Sequence, residues 1–174
     1  MIILHSHRDP VMNPAQGRID FSGLTCRTLE VNDLETICMH RQSMFLDAGG
    51  DLNKLQVMTQ HFRPWLAQRL SDGRYFGFLL LDAGRPVAGI GLMSIEWPPH
   101  PSHPTSDQRG YVLNVYVEPQ YRRRGLASAL MQAAEAEFSR REITFAVLHA
   151  TRMGRPIYEQ IGWAGTSEMA KLLS

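Results

Sequence analysis

Residues 111–127 constrain the fold more tightly than any other stretch of the chain. Val115-Tyr116-Val117 is apolar and β-branched or aromatic, as a central strand requires, and it stops at Glu118-Pro119. Gln120-Tyr121-Arg122-Arg123-Arg124-Gly125 then makes a basic turn, and Leu126, Leu130, Ala134 and Phe138 follow at helical spacing. The strand therefore feeds through a glycine turn straight into a helix N-terminus. The first amides of a helix have no partner inside it, and the helix dipole adds positive character there. Such an end suits a phosphate or pyrophosphate. Gly125 lacks a Cβ and lets backbone approach a ligand closely, and Ala127 is the next smallest side chain. Three consecutive arginines add forked donors for phosphate oxygens.

The charge balance sharpens this reading. With a formal net charge of +1 the chain has no global basic field, which argues against nucleic acid as a partner. The arginines at 122–124 are thus a local feature aimed at a small anion. A length of 174 residues fits one domain with a substantial core, and 44% hydrophobic with 20% charged residues is ordinary for a globular protein. Cys26 and Cys38 fall on different expected elements and, with no array of metal-ligand spacing, read as reduced thiols of a protein without metal. Met1-Ile2-Ile3-Leu4 is too short for a signal peptide, and no apolar run reaches about 18 residues, so the expected location is cytoplasmic, with no membrane partner.

Along the chain, residues 1–23 read as a poorly ordered extension or a loose wrap, and 24–174 as the domain. Strand character at 24–29 is followed by an N-cap at Asn32-Asp33 and a helix carrying Leu34, Ile37, Cys38 and Phe45. Gly49-Gly50 ends that helix, Asp51 caps the next, and Pro64 within it predicts a kink or a restart. Strands are expected at 75–81 and 86–96, joined by a hairpin turn at Asp82-Ala83-Gly84-Arg85. Gly89 and Gly91 in the second strand point to a bulge or a close approach. Four prolines in residues 97–104 make an irregular, extended loop. Further strands are expected at 110–117 and 143–149, helices from 126 and 156, and one or two terminal strands within 163–172. This order gives an α+β fold with a mixed, mostly antiparallel central sheet flanked by helices, sandwich-like in its layering.

Arg122-Arg123-Arg124-Gly125-Leu126-Ala127 resembles the Arg/Gln-x-x-Gly-x-Gly/Ala signature of the GCN5-related N-acetyltransferases. Val117-Glu118-Pro119-Gln120-Tyr121 before it is similar to the family's Val-x-Pro-x-Tyr, and Tyr158-Glu159-Gln160-Ile161-Gly162-Trp163 to its Tyr-x-x-x-Gly-Phe/Trp element. The resemblance implies an acyl-CoA N-acyltransferase fold and an acetyl group passed from acetyl-CoA to an amine. It implies that the coenzyme lies against Val115, Tyr116 and Val117, against the loop and helix start Arg122, Arg123, Arg124, Gly125, Leu126, Ala127 and Ser128, and against Tyr158. The amides of Val115 and Val117 would meet the extended pantetheine much as a sheet edge meets an added strand. Tyr158 would protonate the departing sulfur, a role that suits a phenol because it stays protonated near neutrality. Tyr158 read alone would sooner serve as a core ring packing the helix on the sheet; paired with the arginine-glycine loop it reads as catalytic. A homodimer is a further family expectation.

The chain departs from the family pattern twice. Tyr111 stands where some members carry a glutamate base, and Glu96, beside Trp97, is the expected substitute; His100, His103, Asp107 and an ordered water are rivals. The family's asparagine near 149 is absent, so His149 or Thr151 is expected to contact the coenzyme. Asn114 is a polar residue inside an apolar strand and needs a partner, either nearby backbone or the acceptor. The acceptor site, expected between the helices at 32–70 and the loop at 97–109, carries Phe45 and Trp97 and is more apolar than acidic, which disfavours a polycation. A small-molecule or peptide amine is the expected partner. A protein that binds acyl-CoA as a sensor, without catalysis, is the alternative.

Overall fold

The computed structural model describes residues 19–172. Most of the expected N-terminal extension, residues 1–18, lies outside the described residues; its last part does not stand off, since Phe21 packs against the core.

The first strand, β1 (Thr25–Thr28), leads into helix α1 (Leu34–Asp47), and α2 (Leu52–Ser71) follows after the double glycine. Asp51 caps α2 as expected, its Oδ1 accepting from the Lys54 amide at 2.9 Å. The helix runs unbroken through Pro64, so the expected restart there does not occur. Three strands come next: β2 (Phe76–Asp82), β3 (Arg85–Glu96) and β4 (Gln108–Val117). The β2–β3 turn has positive φ at both central residues, Ala83 and Gly84, which matches the twist of a two-residue hairpin. Helix α3 (Leu126–Arg140), strand β5 (Ala146–Leu148) and helix α4 (Arg155–Gln160) complete the chain.

The five strands lie in sequence order in one sheet, antiparallel from β1 to β4 and parallel between β4 and β5. This is the mixed, mostly antiparallel sheet that the element order implies. One face buries α3 through Leu126, Leu130, Met131, Ala134 and Phe138. The other carries α1 and α2, with Ile37, Cys38, Leu66 and Leu70 packed around Tyr75. No described helix is long and apolar enough to cross a membrane.

Two expectations near the C-terminus fail. The strand expected at 143–149 shortens to Ala146–Leu148, paired with Gly110–Val112; past Val112 β4 bends away and leaves His149 no ladder to join. No strand forms within 163–172. Trp163 is tied to Glu135 by its indole N–H (2.8 Å), and Glu168 reaches Arg109 instead of a sheet edge. Met169 and Leu172 remain 98% and 96% exposed, so nothing drives that segment onto β5.

The bend in β4 is a bulge. Gly89 pairs with Tyr116 and Gly91 with Leu113, so Asn114 and Val115 together oppose Ile90. Asn114 takes up the extra residue in the left-handed region, at φ +53°, which asparagine tolerates better than most side chains. Its amide is satisfied at both ends. Nδ2 donates to Tyr75 Oη at 2.7 Å, and Oδ1 accepts from Arg41 Nη1 at 2.5 Å. Tyr75 is buried and lies directly on Gly91, where a Cβ would collide with the phenol oxygen. The two strand glycines thus mark both a bulge and a close approach.

Two outcomes follow from this packing. Gly91→Ala drives Tyr75 off its site and breaks the bond to Asn114; urea unfolding should show a loss of about 2–4 kcal/mol. His40, only 2% exposed, packs against the Tyr116 ring, and its Nε2 finds no partner among the described residues. Burial pushes its imidazole down to about 4, against a smaller opposing pull from Glu118. The unfolded chain, with an ordinary histidine near pH 6.5, binds a proton that the folded chain refuses. Stability is therefore full above about pH 6.5 and falls by up to about 3 kcal/mol as the pH drops toward 4. In His40→Gln, denaturant unfolding across that window should show a flatter pH slope.

Candidate active site

The bulge opens a cleft between β4 and β5 and sets which backbone groups face it. The Gly110 amide points to β5 and bonds Phe145 O at 2.9 Å, and by alternation Val112 points the same way. Beyond the bulge, the Glu118 amide points to β3 and bonds Val87 O at 2.9 Å. Counting back, Tyr116 also faces β3, and Val115 and Val117 face the open side. Strand β5 pairs only with Gly110–Val112, so it does not cover them. Two amides on the open edge of a strand offer a ladder to an extended ligand.

The turn before α3 forms the second part of the site. Arg123 and Gly125 both have positive φ, at +60° and +76°, and no side chain caps the helix. The first helical bond runs from the Ala129 amide to Gly125 O (3.0 Å), so the amides of Leu126, Ala127 and Ser128 project from the helix end. Amides converging on a turn of this kind cradle an anion. The three arginines divide. Arg122 is half-buried and engaged by the protein itself, with Nε donating to Val117 O at 2.9 Å and Nη2 paired with Asp47 at the end of α1. Arg124 turns outward, its guanidinium 5.3 Å from the Tyr121 ring centroid and directed at Ser22 O. Arg123 makes neither an ion pair nor a side-chain hydrogen bond among the described residues, and it lines the cavity beside Gly125.

These parts meet in one cavity of about 630 Å³. Val115 and Val117 side chains pack into the α3 core, whereas Leu113 joins the α1/α2 cluster and Asn114 reaches Tyr75. The cavity thus has an α3 side, with Leu126, Ala127, Ser128 and Tyr158, and an α1 side, with Arg41, Met44, Phe45 and Asn114. Tyr158 sits over Gly154, where a Cβ would lie 3.0 Å from the ring and 3.2 Å from the hydroxyl. Burial raises its pKa above the ordinary phenol value, so it stays protonated. Tyr111 lines the same cavity and hydrogen-bonds His149 Nδ1. Its phenol is also raised, chiefly by burial, with Glu168 adding and Arg41 opposing.

Most expected site residues converge here. Phe45, Asn114, Val115, Tyr116, Val117, Arg122, Arg123, Gly125, Leu126, Ala127, Ser128, His149 and Tyr158 all line the cavity, as does Thr151. Arg124, Glu96 and Trp97 do not. Glu96 pairs with Gln108 at the far end of the β3–β4 ladder, three residues past the Met93–Tyr111 pair and away from the cleft. Trp97 stacks on Arg109 at 4.3 Å. The rival bases on the loop fare no better. His103 is buried with both nitrogens engaged, Nε2 by Arg109 (2.8 Å) and Nδ1 by Ser106 O (3.0 Å). His100 turns back on Ser102, and neither His100 nor Asp107 lines the cavity. Residues that sequence reasoning missed are Arg41, Tyr75 and Asp47. A signal for Arg41 existed: it falls four residues after Ile37 and before Phe45, on the apolar face of α1.

The Acetyltransferase (GNAT) family model matches residues 37–163. The crystal structure of a GCN5-related N-acetyltransferase from Ralstonia eutropha is 56% identical, with a TM-score of 0.85 over 87% of this chain and 99% of that one. A predicted acetyltransferase from Clostridium acetobutylicum, solved with acetyl-CoA, is 23% identical, with a TM-score of 0.75 over 86% of this chain and 96% of that one. An aminoglycoside N-acetyltransferase, AAC(6')-Iy, in complex with CoA, shares the fold at 12% identity, with a TM-score of 0.63 over 87% of this chain and 94% of that one. No curated protein matches the chain.

Proposed function

The chain belongs to the GNAT acetyltransferase family, and from that premise we propose that it moves an acetyl group from acetyl-CoA to a primary amine by direct attack, with Tyr158 as general acid. The observation that carries this reading is the meeting of three features in one cavity: the open amides of Val115 and Val117, the uncapped start of α3, and the Tyr158 phenol. An extended chain ending in a pyrophosphate fits the first two features together. The Clostridium acetobutylicum neighbour, solved with acetyl-CoA, agrees with that choice of donor.

Acetyl-CoA supplies a thioester, whose C–S bond breaks as the amine forms its bond to the acetyl carbon. The amides of Leu126, Ala127 and Ser128, with Arg123, hold the pyrophosphate by hydrogen bonds and helix-end charge. The Val115 and Val117 amides orient the pantetheine arm, and one of them polarises the thioester carbonyl. Tyr158 gives its proton to the leaving sulfur. With Glu96 remote from the cleft, the amine proton goes to His149, the one imidazole among the lining residues, which Tyr111 holds in position. The expected coenzyme contact at His149 gives way in this reading to a contact with the acceptor.

Thiol release from acetyl-CoA across an amine panel tests the reading. Tyr158→Phe should lower kcat by about 10²–10³-fold and leave acetyl-CoA affinity unchanged by calorimetry. His149→Ala should lose about 10²-fold, and Tyr111→Phe less than that, since it only orients the ring. Tight acetyl-CoA binding with no Tyr158-dependent turnover on any amine would leave the acyl-CoA sensor as the better account.

A further inference from the structure

Among the described residues Arg41 is a cation without a counter-ion. It lines the α1 side of the cavity, and its one hydrogen bond among the described residues runs from Nη1 to Asn114 Oδ1, 2.5 Å away. The guanidinium lies over Phe45 and Phe62, with ring centroids at 4.9 and 4.6 Å. Nε is buried with no acceptor among the described residues. Burial opposes the charge on Arg41, the groups beside it include Tyr75, Tyr111 and Cys38, and among the described residues no carboxylate pairs with it. Asp47, the one carboxylate among the described residues that line the cavity, is taken by Arg122.

A partly buried guanidinium costs free energy unless an anion meets it. Two aromatic rings return only about 1 kcal/mol each. A ligand carboxylate would return more, because its two oxygens match the guanidinium fork. The position of the charge bears on the chemistry. Asn114, which Arg41 grips, directly precedes Val115, whose amide faces the open cleft. A carboxylate on Arg41 would therefore belong to a group held close to the reacting amine. Met44, Phe45 and Leu113 add apolar wall on this side, beside the Tyr111 phenol and the Asp47 carboxylate that Arg122 engages.

We infer that the amine acceptor is an apolar amino acid whose own carboxylate pairs with Arg41. This rests on the transferase reading above for the amine, but not for the carboxylate, which binding alone can detect. Polycationic acceptors are excluded by the same geometry, because they would meet Arg41 with like charge and find no free carboxylate among the lining residues. The aminoglycoside acetyltransferases among the structural neighbours share the fold without sharing this chain's acceptor.

Calorimetry on the CoA-saturated protein decides the inference, with N-acetyl-L-phenylalanine and N-acetyl-L-methionine compared with their uncharged amides. The acids should bind at least about tenfold tighter than the amides. Arg41→Gln should bring the ratio near one while acetyl-CoA affinity holds, and Arg41→Lys should restore part of it. Equal binding of acid and amide in the native protein would overturn the inference, and so would an acid preference that survives Arg41→Gln. Turnover of L-phenylalanine or L-methionine should likewise exceed that of their amides and of spermidine. Faster turnover of spermidine would overturn the inference and leave the transferase reading standing. Arg41-dependent acid binding with no turnover on any amine would uphold the carboxylate site, overturn the acceptor role and defeat the transferase reading.

Discussion

Strand β4 breaks its own alternation at Asn114, and the rest of the site follows from that break. One extra residue opposite Ile90 turns the amides of Val115 and Val117 toward the cleft and sends Leu113 and Asn114 to the same face. The left-handed backbone costs roughly 1 kcal/mol for a non-glycine residue. The bonds to Tyr75 and Arg41 return about that much each, because neither end of the buried amide is left bare. Tyr75 can occupy its site only because residue 91 has no Cβ. A glycine in β3, a tyrosine before β2 and an arginine on α1 thus support one irregular residue in β4.

Charge in the cavity is divided by side. On the α3 side, backbone amides and the Arg123 guanidinium, unpaired among the described residues, face a single region, while Arg122 and Arg124 are engaged elsewhere. The run of three arginines is therefore less a triple phosphate clamp than one cavity-facing residue between two that hold the loop. Arg122 ties Val117 and Asp47 to the start of α3, so it fixes the loop against both the strand and helix α1. On the α1 side, Arg41 stands among aromatic and aliphatic groups.

The features readable from sequence are the local ones. The Asp51 cap, the Ala83-Gly84 turn and the Gly125 turn into α3 each depend on a few adjacent residues, and each forms where the sequence implies. The features that were not readable depend on register and on distant partners. Glu96 lies on the strand next to that of Tyr111, but the ladder carries it past the cleft. His103 looked available as a base until Arg109 and Ser106 took both ring nitrogens. Arg41 was visible as a charge on an apolar helix face, yet its meaning required Asn114, 73 positions away. The terminal strand failed for want of a paired neighbour, with Trp163 tied to Glu135 and Glu168 to Arg109.

The central claim is that the bulge leaves the amides of Val115 and Val117 open and in line with the start of α3. Residue-resolved amide hydrogen exchange, with and without acetyl-CoA, tests it most directly. The account predicts new protection at Val115, Val117, Leu126, Ala127 and Ser128, with Tyr116 and Val112 little changed because β3 and β5 already hold them. Protection that spares Val115 and Val117, or that falls instead on Tyr116, would contradict the account even if acetyl-CoA binds tightly.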